Sequence, residues 1–330
     1  MNVLLTTAGR RSYLVRWFQK ALEGDGRVLA SNSIDCPAFY AADSSYLSPL
    51  IVSDEYIPFL LELCQREQVE LVVPLFDPDV VALARHQDAF AELGAIPVVP
   101  SAEIATLCID KLRAARHLDE CGIGTPRTFD LDGALAALDS GALSLPVVVK
   151  ARAGMSGIDL QVVQSTDEFL ALFNRLSAKR SADTGIETNH IVQEHVRGQE
   201  FGLDVICNLE GTYVTTIVKR KLGMRAGETD AAVTVNLPEL QELGEKLADA
   251  LPHPGNLDVD LIMSENGPQV LDVNPRFGGG YPFSHAAGCD LPRALIRWRK
   301  GLPVDPTMLA ALPGIASYKD ISIMAAGKVI

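Results

Sequence analysis

The first hundred positions alternate short apolar runs with stretches whose apolar residues recur every three or four positions. Val3–Leu5 reads as a buried strand, and Ser12–Leu22 as an amphipathic helix with Leu14, Val15, Phe18 and Leu22 on one face. The same pattern predicts helices over Tyr56–Gln65 and Pro78–Leu93, and strands over Leu71–Pro74 and Ile96–Val99. Strands alternating with helices imply a parallel, doubly wound sheet, whose ligands bind beyond the carboxyl ends of the strands. Gly9-Arg10-Arg11 and Phe76-Asp77-Pro78-Asp79 fall at such ends. No G-x-G-x-x-G follows the first strand, so a dinucleotide is poorly supported. Ser101 is placed to cap a helix running to about Cys121, which Gly122-Ile123-Gly124-Thr125-Pro126 then ends.

From about Thr128 the texture becomes that of strands: Pro146–Lys150, Asp159–Gln164, His190–Val196, Glu200–Asn208, Thr212–Lys219, Ala231–Val235, Asp258–Met263 and Gln269–Asn274. Helices are expected from Ser165, with Glu168 completing a capping box, to about Leu176, and over Leu240–Leu251. The polar stretch Ser177–Asn189 reads as a mobile loop, and a mostly antiparallel sheet is expected here.

Composition narrows the partners. With 29 Lys+Arg against 42 Asp+Glu the formal net charge is -13, which repels phosphate backbones and anionic lipid, so nucleic acid and membranes are not expected partners. A small anionic ligand stays open, because a local cluster of cations holds a phosphate inside an acidic protein, above all beside a metal ion. The six cysteines are scattered, with no C-x-x-C pair, and read as buried hydrophobes of a reducing compartment. With neither a leader pattern nor a long apolar window, a cytoplasmic location is the expectation.

Three stretches carry candidate chemistry. If the hairpin turn is centred on Asn266, Asp260 faces Asp272 and Asp258 faces Asn274. Facing like charges are costly unless a cation lies between them or one is protonated, and an all-oxygen set suits Mg²⁺ or Mn²⁺ shared with substrate phosphates. A one-residue slip that sends one Asp to solvent is equally open. The apolar run Val147-Val148-Val149 delivers Lys150 to the start of a small-residue loop, Ala151-Arg152-Ala153-Gly154-Met155-Ser156-Gly157. Backbone donors plus one point charge suit a phosphate, although a solvated lysine after an edge strand has the same sequence. In the stretch from Gln193 to Phe201, His195 and Glu200 read on their own as packed or solvated residues.

The order of these features resembles the ATP-grasp superfamily: a strand lysine with a small-residue loop, a Glu-x-Val hinge followed by G-x-E, then Asp260, and Asp272-x-Asn274-x-Arg276 before Gly278-Gly279-Gly280. The resemblance covers nearly the whole chain and is closest to carbamoyl-phosphate synthase large subunits and amino-acid ligases, where openings like Leu4–Arg11 are common. It implies an α/β protein, α+β in the grasp region. An N-terminal Rossmann-like parallel sheet (1–100) is followed by a linker helix and small lobe (101–195) and a large lobe with the metal site (196–330).

By that resemblance Lys111 and Lys150 bind nucleotide, and Gly154, Met155, Ser156 and Gly157 close over the γ-phosphate. Glu194, His195 and Val196 read the adenine edge and Glu200 the ribose hydroxyls. Asp260, Asp272 and Asn274 hold Mg²⁺ or Mn²⁺, as two ions, and Arg276 steadies the transferring phosphate. Asp272 departs from the pattern, since many members have Glu there. The resemblance implies ATP-dependent, ADP-forming joining of a small carboxylate to an amine through an acyl phosphate, and is compatible with a homodimer. Bicarbonate activation and a degenerate nucleotide-binding regulator are the rival readings. Strand alternation lets either Arg220, or Lys219 with Lys221, face the substrate, and Arg220 is favoured. Arg10, Arg11 and Asp79 face the cleft from the first sheet, while Gly279 and Gly280 permit close backbone approach to substrate.

Overall fold

The computed structural model describes residues 1–154, 160–182, 190–225, 227–321 and 323, excepting the side chains of 178–182. The chain opens with β1 (Asn2–Thr6), α1 (Ser12–Leu22), β2 (Val28–Asn32), β3 (Ser44–Leu47), α2 (Tyr56–Glu67), β4 (Val69–Pro74), α3 (Asp77–Ala84), α4 (Gln87–Glu92) and β5 (Ile96–Pro97). The five strands pair in parallel in the order β3-β2-β1-β4-β5, which is the doubly wound sheet expected. Strand order reverses direction where β1 meets β4, so the loops leaving those two strands flank a ready-made crevice.

α1 covers the predicted residues and buries its predicted face, while β2 and β3 escape the pattern. Val28-Leu29-Ala30 is too short a run to stand out, and Ser44–Leu47 is half polar at the sheet edge. The expected helix Pro78–Leu93 is two helices, because His86 turns out of helical geometry at φ -127°.

Two helices follow, α5 (Ala102–Ile109) and α6 (Lys111–Glu120). Ser101 accepts from the Ile104 N–H as a cap. The helix does not run unbroken to Cys121. Asp110 is extended, and its carboxylate accepts from the Leu112 and Arg113 N–H groups, starting a second helix with Lys111 at its first position.

β6 (Thr128–Asp130), α7 (Leu131–Asp139), β7 (Val147–Ala151), β8 (Gln161–Val163), α8 (Thr166–Ala182) and β9 (His190–Glu194) come next. They form a small lobe around an antiparallel sheet ordered β6-β9-β7-β8. Ser165 caps α8, with the Glu168 carboxylate returning to the Gln164 N–H. The helix runs on to Ala182, where a loop from Ser177 was expected, since Ala178-Lys179-Arg180 are strong helix formers. The rest of that loop, 183–189, lies outside the described residues.

A second antiparallel sheet, ordered β14-β13-β10-β11-β12-β15, takes β10 (Gln199–Cys207), β11 (Tyr213–Arg225), β12 (Glu228–Val235), β13 (Gly255–Ser264), β14 (Gly267–Asn274) and β15 (Ala316–Tyr318). α9 (Pro238–Ala250) packs Leu240, Leu243 and Leu247 into a core with Leu203, Val205, Leu257 and Val259. Each such aliphatic side chain contributes about 1.5–3 kcal/mol on full burial. α10 (Tyr281–Ala286) and α11 (Leu291–Arg299) turn back instead onto α1 and the parallel sheet, and one core joins Val3, Leu5 and Phe18 with Phe277, Tyr281, Leu291 and Leu295. That shared core brings the end of β14 to the crevice between β1 and β4.

Candidate active site

The β13–β14 hairpin sets the geometry. Its turn has two central residues, Glu265 and Asn266, pairing Ser264 with Gly267 and Leu261 with Val270. Continued unchanged, that register would put Asp260 opposite Leu271. The register shifts between Asp260 and Leu261, so Leu271 is the extra residue of a bulge, Asp260 faces Asp272, and Asp258 faces Asn274. The carbonyl of Leu271 accepts instead from Nζ of Lys150, 3.3 Å away on β7.

The two facing carboxylates are each matched by a lysine from another element. Nζ of Lys111 lies 3.1 Å from Asp272 and 3.0 Å from the carbonyl of Gly154. Lys221 of β11 lies 2.6 Å from Asp260 and 3.9 Å from Glu200. Lys111 is thus no solvated helix lysine. It is held because Asp110 is tied to Arg152 at 2.7 Å and the Lys111 N–H donates to the Arg152 carbonyl, which fastens the start of α6 to the end of β7. Burial brings the Lys150 ammonium down to about 8, with Asp272 pulling the other way and Lys111 adding to the fall.

Arg276, after β14, is buried between two acids. Its guanidinium lies 2.8 Å from Asp77, the residue that opens α3 on the parallel sheet, and 3.0 Å from Asp258. Burial raises the Asp258 carboxyl against the pull of Arg276, with Asp260 and Asp204 adding to the rise. A Cβ on Gly278 would fall about 2 Å from the Asp258 carboxylate, so only glycine fits there.

A cavity of about 110 Å³ is lined by Asp258, Asp260, Asp272 and Asn274 together with Arg11, Glu228, Gly279, Gly280 and Phe283. Four residues expected to bind metal or transferring phosphate, Asp260, Asp272, Asn274 and Arg276, therefore line one cavity with the expected substrate residues Arg11, Gly279 and Gly280. The oxygen donors suit Mg²⁺ or Mn²⁺ held jointly with phosphate. Among the described residues no cluster of three His, Cys, Asp or Glu is placed to hold a metal ion.

The structure corrects three substrate assignments. Arg220 points away from the cavity and is exposed, whereas Lys219 and Lys221 line it. Acidic partners on other strands of the sheet decide the alternation, since Lys219 pairs with buried Asp204 on β10 and Lys221 with Asp260 on β13. Asp79 is fully buried, where it accepts from Thr6 at 2.5 Å, Thr7 at 3.0 Å and Tyr56 at 2.7 Å, so it fastens the end of β1 and reaches no ligand. Burial raises its carboxyl despite these three donors. Arg10 is exposed and does not line the cavity.

The remaining residues stand apart. Glu194 ends β9 with its carboxylate on Arg127 at 2.9 Å and its N–H donating to the Arg127 carbonyl. Nδ1 of His195 is buried without a hydrogen-bond partner. Glu200 is half exposed at the cavity side of Lys221. Met155, Ser156 and Gly157 lie outside the described residues. Sequence reasoning placed Asp77 at a strand end without giving it a role, and passed over Asp204 and Ser284, whose hydroxyl donates to Asp204. A buried acid inside an apolar strand run, as at Asp204, was the available signal.

One parallel and two antiparallel sheets, with facing carboxylates met by lysines from other elements, define a grasp-type fold. The family model described as "ATP-grasp domain" matches residues 108–280, more than half of the chain, and "PylC-like, N-terminal domain" matches residues 3–99. The chain belongs to the ATP-grasp family. A probable alpha-L-glutamate ligase of Psychromonas ingrahamii is 28% identical over 172 residues, 50% of this chain and 54% of that protein. The chain thus spans about half of that relative's length. A phosphoribosylamine–glycine ligase of Listeria innocua is 24% identical over 84% of this chain and 69% of its own. Among solved structures, the L-amino acid ligase from Bacillus licheniformis superposes with a TM-score of 0.68 at 16% identity, over 96% of this chain and 79% of that one. Biotin carboxylase from Campylobacter jejuni, in complex with β,γ-ATP, gives 0.72 at 19% identity, over 94% and 73%.

Proposed function

We propose that the chain is an ATP-dependent, ADP-forming ligase that joins a small carboxylate to an amine through an acyl phosphate. The observation that carries this reading is the convergence of three lysines on the paired Asp260 and Asp272: Lys111 on Asp272, Lys221 on Asp260, and Lys150 on the carbonyl of Leu271 in the bulge beside them. The relatives named as ligases support it.

Attack of a carboxylate on a γ-phosphate brings anions together, so the site must supply positive charge without supplying a nucleophile. Lys111 and Lys150 approach from the small lobe and Arg276 from the wall beneath. Divalent ions, as a pair, would neutralise the transferring phosphate, and Asp260, Asp272 and Asn274 are the residues to hold them. The hinge Glu194-His195-Val196 is assigned to the adenine edge and Glu200 to the ribose. The amine then attacks the acyl carbonyl, forming the amide and expelling phosphate.

The test is a phosphate-release screen of the pure protein with Mg-ATP against paired amino acids and other small carboxylates. Lys150→Ala and Asp272→Ala should keep the wild-type circular dichroism and lose ADP formation. Wild-type turnover in either variant overturns the assignment.

A further inference from the structure

The charges lining the cavity balance almost completely. Lys221 is matched by Asp260, Lys219 by Asp204, Arg276 by Asp77 and Asp258, and Asp272 by Lys111. At the far rim Glu228 is matched by Lys319 at 3.3 Å. Among the described residues, Arg11 is the one cation lining the cavity that has no carboxylate within ion-pair distance. It lies beside the Tyr13 hydroxyl, and Gly279 and Gly280, which present backbone without side chains, line the same cavity.

We propose that Arg11 holds a non-reacting carboxylate of the substrate, and that the substrate is an amino acid whose ammonium is taken by Glu228. This rests on the ligase reading and deepens it. A guanidinium offers a carboxylate two parallel N–H donors, so one arginine satisfies one monoanion. A phosphate monoester carries about -1.5 to -2 at neutral pH and would leave charge unmatched here, because every other cation lining the cavity already has its acid. Glu228 is half exposed at the same cavity and faces an ammonium with the carboxylate that Lys319 now shares. The arrangement therefore favours a zwitterion over the phosphorylated sugar amine of the phosphoribosylamine ligases.

The experiment measures binding to the full chain with Mg and a non-hydrolysable ATP analogue. The probes are the twenty common amino acids, their carboxamides, and O-phosphoethanolamine. Wild-type protein should bind at least one amino acid about tenfold or more tighter than its amide, and Arg11→Gln should bring the two within about twofold. Arg11→Lys should restore part of the preference, and Arg16→Gln, on the exposed side of α1, should leave it unchanged. The proposal is overturned if Arg11→Gln keeps the preference, if O-phosphoethanolamine binds more tightly than any amino acid, or if no amino acid binds. Arg11-dependent binding with no phosphate release from any substrate pair would sink the ligase reading and leave this one standing. Phosphate release that Arg11→Gln does not alter would do the reverse.

Discussion

Arg276 Nε lies 2.8 Å from Oδ1 of Asp77, with a second guanidinium nitrogen 3.2 Å from Oδ2. A residue that follows the last strand of the β13–β14 hairpin is thereby clamped to a residue that follows β4 of the parallel sheet, 199 positions earlier in sequence. Both side chains are buried, so the pair joins the parallel sheet to the end of β14, with Arg276 lining the cavity.

Asp77→Ala should destabilise the fold by about 1–3 kcal/mol, less than the 3–5 of a lone buried pair, because Asp258 still holds Arg276. Urea unfolding measures this, and an unchanged midpoint would remove the clamp from the account. Steady-state kinetics of the same variant should show kcat falling with little change in KM for ATP, since Arg276 is assigned to the transferring phosphate.

Neighbouring cations on β11 should behave oppositely. Arg220→Ala, which strips an exposed side chain, should leave kcat/KM within about twofold of wild type. Lys221→Ala removes the cation beside Asp260 and should cost about tenfold or more, the equivalent of one charge-assisted hydrogen bond. Equal effects would restore the sequence-based choice of Arg220.

Lys150 should titrate near 8, observed by NMR of its ε-carbon, well below the 10.5 of a free lysine. Because burial depresses the folded value, folding releases a proton between those limits, and this group makes the protein gain stability as pH rises from 8 to 10.5. Asp272→Asn should lower the midpoint further by removing the acid that opposes the shift. Bound Mg-ATP should raise it. A midpoint above 10 would show a solvated lysine.

Gly278→Ala should fold poorly or lose Mg-ATP binding, since the new Cβ falls on the Asp258 carboxylate. Gly267→Ala, with open space around its Cβ but a positive φ of 95°, should cost only about 1 kcal/mol. Thermal melting with and without Mg-ATP separates the two, and equal losses would refute the packing argument.

The periodicity of apolar residues was enough to find α1, the parallel sheet, the shift to antiparallel strands and the β13–β14 hairpin, because those elements bury one face along their own length. Short or edge elements such as β2 and β3 carry too few residues for a period to register, and Asp110 hid a helix boundary by looking like one more polar position. The facing of Asp260 and Asp272 was legible, yet it arises differently from the turn-centred count. The turn is one position shorter, and the Leu271 bulge restores the register.

The amino-acid sequence alone determined which residues are the candidates for the chemistry, since lysines, carboxylates and glycines in a fixed order are local properties of the chain. Only the tertiary structure decided which of them meet. Lys219 and Lys221 turn inward and Arg220 outward because Asp204 and Asp260 sit on other strands, and Asp79 is withdrawn because Thr6, Thr7 and Tyr56 surround it. Arg11 stands out as the unmatched charge only after every other cation around the cavity has found its partner. Strand alternation offers two faces, and long-range ion pairs choose between them, through contacts that no local pattern encodes.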